Sequence, residues 1–138
     1  MDRRSMIKLG LLGISGIAAP TLVSAKGAAP APMAGGLYYT KENPGRWSKK
    51  AAGHFPIVKK LKDGKIKVMT SHAMNDYKHY IVKHMLLDKD YNFITEHMFD
   101  PTKERVAVST FDLGAYKGEL HVLSVCNQHD TWLNSISV

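Results

Sequence analysis

Residues 119–126 read ELHVLSVC, and the alternation within them decides the architecture. In an extended chain Leu120, Val122, Ser124 and Cys126 share one face. A period of two with one apolar side marks a strand with one covered face. The run KIKVMT at 65–70 has the same form, with Ile66 and Val68 set between Lys65 and Lys67. Outward from these two lie HFPIVKKL (54–61), KHYIVKHMLL (78–87), YNFITEHMF (91–99) and RVAVSTF (105–111). The breaks between runs, KDGK, LDKDYN, DPTKE and LGAYKGE, carry turn-forming residues. Short strands at roughly ten-residue spacing predict an all-β chain folded as an antiparallel β-sandwich of about seven strands. From Leu37 onward no sustained helical period and no internal repeat is present.

The N-terminal stretch MDRRSMIKLGLLGISGIAAPTLVSA (1–25) reads differently. Arg3 and Arg4, followed by Ser5, two apolar residues and Lys8, form the twin-arginine pattern of bacterial export signals. The apolar run Leu9–Ala19 is about half a bilayer span, and Val23-Ser24-Ala25 supplies a small-residue cleavage site. The alternative is a basic N-terminus on an uncleaved anchor. The expectation is a periplasmic protein, exported already folded, with no stable membrane insertion after cleavage. Residues 26–36, KGAAPAPMAGG, read as a flexible tether, and 37–138 as one domain. Cleavage removes three cations and one anion, so the net charge falls from +7 to +5. That field favours a small anion or an acidic partner. The lysines are scattered and the chain reads as exported, which excludes nucleic acid. A homo-oligomer, dimer or tetramer, is expected.

Cys126 is the sole cysteine, so no internal disulfide forms in a compartment that would permit one. A lone cysteine on a covered face is commonly a small hydrophobe. Its neighbourhood suggests more, since His129 follows three residues later where the chain leaves the strand. His72 is expected just after a strand, His79 at the opening of the next, and His54 at the start of another. Four imidazoles and a thiolate at strand ends can converge at one end of a sandwich. His84, His97 and His121 fall within strands and are read as structural or exposed. Imidazoles with one thiolate suit zinc, copper or iron. Zinc closes a tetrahedral site with four ligands, and five candidates exceed that. A blue-copper site adds a methionine, and DTWLNSISV after His129 contains none. Four nitrogens around an ion with sulfur below describe a square pyramid with one position open.

The strings GHFPIV (53–58), SHAM with HYI (71–81) and CNQH (126–129) resemble the superoxide reductase family, the neelaredoxins and the iron domain of desulfoferrodoxin. The resemblance runs from about residue 52 to 132. It implies an immunoglobulin-like β-sandwich and a mononuclear iron (Fe2+/Fe3+) held by His54, His72, His79, His129 and an axial Cys126 thiolate. It implies one-electron reduction of superoxide to hydrogen peroxide, with Cys126 pushing electron density onto iron, and an external one-electron donor protein. With a single cysteine the chain resembles the single-iron type. Two departures stand out. Ala73 replaces a usual proline, and His79 comes seven positions after His72 where six are commoner. Ala52 and Gly53 occupy the place where many members carry a Glu-Lys pair. Lys49 or Lys50 is the candidate to supply the missing positive charge; as a pair they also read as ordinary solvated lysines. A cupredoxin-like electron carrier and a metal-binding relative without efficient superoxide reduction are the alternatives.

Overall fold

The computed structural model describes residues 33–138. The expected export signal at 1–25 and most of the expected tether lie outside them. Seven strands follow in order: β1 (Ile57–Lys60), β2 (Lys65–Ala73), β3 (Ile81–Leu87), β4 (Phe93–Met98), β5 (Val106–Asp112), β6 (Glu119–Cys126) and β7 (Asp130–Ser137). They form a three-stranded sheet, β1-β2-β5, and a four-stranded sheet, β4-β3-β6-β7, with every pairing antiparallel. The chain changes sheets three times, between β2 and β3, between β4 and β5, and between β5 and β6. The expected all-β sandwich is therefore the observed one. Among the described residues, helix is confined to a 3-10 turn at Gly45–Trp47 and the four-residue α1, Ala51–His54. No helix there is long and apolar enough to cross a membrane.

Alternation sets what each sheet contributes to the interior. Ile66 and Val68 of β2, Leu86 of β3, Phe111 of β5, and Leu120 and Val122 of β6 form one core cluster. Each such side chain, fully buried, contributes about 1.5–3 kcal/mol. A second cluster joins Ile81, Ala107 and Cys126 of β3, β5 and β6 with Met74 and Phe99, which immediately follow β2 and β4. Cys126 thus packs as the covered face of ELHVLSVC requires.

β7 was not among the runs that the alternation picks out. Its residues Trp132 and Leu133 are neighbours, yet both are buried. The reason is a second cover on that strand. Tyr39, itself buried, donates its N–H to Thr131 O at 2.9 Å and accepts from Leu133 N–H at 2.8 Å.

Candidate metal centre

Three local devices bring the predicted residues together. The first is the β6–β7 hairpin, where Cys126 pairs with Asp130 across the three-residue turn Asn127–His129. Asp130 closes the turn in the left-handed region (φ 65°), which Asp tolerates better than most residues. This places the Cys126 Sγ 3.6 Å from His129 Nδ1. The second is the 77–80 loop carrying His79. Asn127 donates to the carbonyls of Tyr77 and Lys78 and accepts from Tyr80 N–H, while Gln128 also donates to Lys78 O. The third is α1. It stops because Phe55 precedes Pro56 and must be extended, leaving His54 at the helix end.

His54 therefore closes a helical turn, where the sequence suggested the start of a strand. His72 lies inside β2, which runs to Ala73, and His79 precedes β3 by two residues. None of these shifts separates the group. One donor atom each from His54, His72, His79 and Cys126 lies within 4.8 Å of the others. His129 falls outside that group of four but adjoins it, with its Nδ1 3.0 Å from His79 Nε2 and 3.6 Å from the Cys126 sulfur.

The four imidazoles form a ring with a definite order. Neighbouring centroids are 4.7 Å apart for His54–His72, 4.5 Å for His72–His79, 4.8 Å for His79–His129 and 4.7 Å for His129–His54. The diagonal His54–His79 is 6.1 Å. The outline is close to a square. Donor nitrogens on adjacent rings are 3.1 Å (His72–His79) and 3.0 Å (His79–His129) apart. Two metal–imidazole bonds of about 2.1 Å at a right angle place their nitrogens about 3.0 Å apart. The spacing fits a metal ion.

Hydrogen bonding fixes which nitrogens face inward. His54 Nδ1–H donates to Lys50 O at 2.8 Å, and His72 Nδ1–H donates to Ala73 O at 2.7 Å. Each Nε2 therefore presents a lone pair. His54 Nε2 is the only buried side-chain nitrogen or oxygen among the described residues that lacks a partner. Such a group is costly to leave unmet, and a metal meets it.

Electrostatics agrees with a ligand set. Burial, assisted by the other imidazoles, pushes His54 down to about 4. Burial also lowers His72, and it lowers His129 with help from His79 and the Lys50 ammonium. All three are neutral near pH 7, the form that binds metal. The Cys126 thiol is raised by burial, against the opposing backbone N–H groups of Gln128 and His129. Gln128 N–H points at the sulfur from 3.4 Å. A metal must therefore displace the thiol proton to recruit the thiolate.

Several supporting residues carry no signal in the sequence. Trp132 is fully buried beside His54 and donates its indole N–H to His129 O at 2.9 Å. Arg46 lies 4.4 Å over the Trp47 ring and pairs with Asp130 at 2.8 Å. Of the two lysines that the sequence suggested, both exposed, Lys50 sits at the N-cap position of α1 and is felt by His129, and Lys49 lies on the preceding turn. The other three histidines are engaged elsewhere. His84 is buried among hydroxyls, His97 pairs with Glu104 at 2.7 Å, and His121 bonds Ser135 and stacks on Tyr91.

No family model matches the chain, and no curated protein is similar to it. Solved structures do match. The superoxide reductase (neelaredoxin) from Ignicoccus hospitalis is 23% identical over 75% of this chain and 95% of its own, with a TM-score of 0.58. The superoxide reductase (1Fe-SOR) from Giardia intestinalis is 21% identical over 62% and 98%, with a TM-score of 0.52. A variant of the Archaeoglobus fulgidus superoxide reductase (neelaredoxin), in the reduced form, is 20% identical over 65% and 91%, also with a TM-score of 0.52. The chain shares its fold with superoxide reductases, and it holds at one end of that fold a histidine–cysteine cluster able to bind a metal.

Proposed function

We propose that the protein is a superoxide reductase, acting in the periplasm, with a mononuclear iron held by His54, His72, His79, His129 and Cys126. The observation that supports it most is the near-square of four imidazoles closing around one thiol, with the His54 Nε2 lone pair buried and unmet. Bound there, Fe2+ supplies the one electron that, with two protons, takes superoxide to hydrogen peroxide. The remaining work falls to the chain. Cys126 supplies a strongly donating thiolate, and Gln128 N–H tempers it through the sulfur. Lys50, close enough to bias His129, provides positive field for a small anion where Ala52 and Gly53 offer none, while Arg46 is engaged with Asp130. Lys49 contributes only to the diffuse field. Protons come from solvent at the exposed rim.

The reading includes an external one-electron donor protein and assembly into a homo-oligomer. The edge strand β4 exposes Phe93, Ile94 and Met98, which supports such an assembly. Against a cupredoxin-like carrier stands Met74, the methionine packed with Cys126, whose sulfur already accepts the Ile81 N–H at 3.3 Å.

The test is metal analysis of the purified protein followed by rapid mixing of the reduced form with superoxide. One iron per chain and one peroxide per electron would sustain the proposal. Iron with slow reaction would leave a metal-binding relative, and copper under native supply would replace the reading with the electron carrier.

A further inference from the structure

A buried polar chain runs through the sandwich next to the imidazole ring set. Ser124 Oγ and Thr70 Oγ1 lie 2.8 Å apart, Thr70 Oγ1 is 2.9 Å from His84 Nε2, and His84 Nδ1 is 2.7 Å from Ser109 Oγ. All four residues are buried, with Ser124 and His84 fully so. They come from β6, β2, β3 and β5, so the chain alternates between the sheets and each of its three contacts crosses the interface. Burial holds His84 near 3, so it is neutral, with one nitrogen donating and the other accepting.

Polar groups in a core are costly unless every member is satisfied, and apolar residues would serve packing alone as well. The placement of this chain explains it better than packing does. Thr70 is two residues before His72 on β2, and Ser124 two before Cys126 on β6. Both pairs therefore lie on inward faces. The Thr70–Ser124 contact is thus one step along the interface from His72–Cys126, whose Nε2 and Sγ are 4.0 Å apart. Regular pairing fails there on both sides. The register of β2 with β5 shifts between Thr70 and Ala73, and that of β3 with β6 shifts between Ile81 and Lys83. Apolar contacts are non-directional and tolerate sliding, whereas hydrogen bonds fix distance and angle.

We infer that Thr70, Ser124 and His84, braced by Ser109, are positioning residues that set the separation of His72 and Cys126 across the two sheets. The inference rests on the metal-centre reading and extends it to residues that touch no metal. The test loads the apo protein with Co2+, reading affinity by chelator competition and the sulfur-to-cobalt charge-transfer band by absorption. T70V and S124A should each weaken Co2+ binding by about tenfold, the lower end of what outer-shell changes cost, and shift the band. T70S, which keeps the hydroxyl, should restore both readings. V122A opens a cavity one step further from the centre and should lower the melting temperature without moving the band. If T70V does not fold, S109A removes a single crossing and should give a smaller shift in the same direction. Unchanged affinity and band in T70V and S124A, or an equal shift in V122A, would overturn the inference. A wild-type protein that takes up no Co2+ would instead remove the metal-centre reading and this inference with it.

Discussion

Trp47 stands edge-on to His129, with centroids 4.7 Å apart and planes at 87°, and its indole N–H donates to Asp130 at 2.8 Å. A residue far from the hairpin in sequence thus holds two successive hairpin residues. Trp47→Ala should free the His129 ring and weaken Co2+ binding by about tenfold. Trp47→Phe keeps an aromatic edge but loses the N–H donor, and should fall between. Chelator competition on the three proteins orders them, and equal affinities would remove Trp47 from the support of the ring set.

Gly45 tests the same segment from its backbone. Its φ is +49°, and a Cβ there would meet Gly35 O at 2.5 Å and Tyr39 Cε1 at 2.9 Å. Both strain and crowding oppose a side chain. Gly45→Ala should cost about 1–3 kcal/mol in urea unfolding, the usual range for a residue forced into such a conformation.

His84 gives the apo protein a pH dependence. Its pKa falls from the ordinary 6.5 to about 3 on folding, mainly through burial. The unfolded chain therefore binds a proton between those values while the native state does not. The stability is intact above pH 6.5 and is lost as the pH falls from 6.5 towards 3, by up to about 1.4 kcal/mol per unit from this group. Thermal melts of the metal-free protein across that window should show the slope, to which the lowered His54, His72 and His129 add. His84→Leu should therefore reduce it without abolishing it, most clearly below about pH 4, where His54 no longer contributes.

The raised thiol of Cys126 predicts a proton released on metal binding. Around neutral pH, where His54, His72 and His129 are already neutral, Co2+ affinity should climb about tenfold per pH unit. Calorimetry in buffers of different ionisation enthalpy counts the proton. Cys126→Ser should remove both the count and the slope.

Lys50→Glu should slow the reaction of the reduced iron protein with superoxide, and the difference from wild type should shrink as salt rises. Lys49→Glu, further from the ring set, should do less. Rapid mixing at two ionic strengths separates the two lysines.

The sequence revealed the parts whose physics is local. Alternation in ELHVLSVC and KIKVMT placed the inward faces of β6 and β2, and the three histidine- and cysteine-bearing strings named residues that the fold brings together. Local patterns could not reveal β7, because Tyr39 covers it from a distant segment and spoils its alternation. The helical turn at His54 is also non-local in origin: two alanines permit it, but Gly53, whose added Cβ would lie 3.3 Å from Ser71 O, fits it against β2. Trp47, Asn127, Gln128 and the Thr70–His84 chain act through partners 14 to 83 residues away, so no short window of sequence displays them.

The convergent residues are contributed by a short helix, a strand end, a pinned loop and a hairpin, from His54 through to His129. No fragment of the chain holds more than part of the set, so binding strength exists only once both sheets have closed. Metal identity is then settled wherever folding is completed, by the ions present there, since affinity alone favours copper over iron at nitrogen and sulfur donors. On the export route proposed for Arg3 and Arg4, that place is the cytoplasm: the choice of iron would be made before the protein reaches the compartment in which it works.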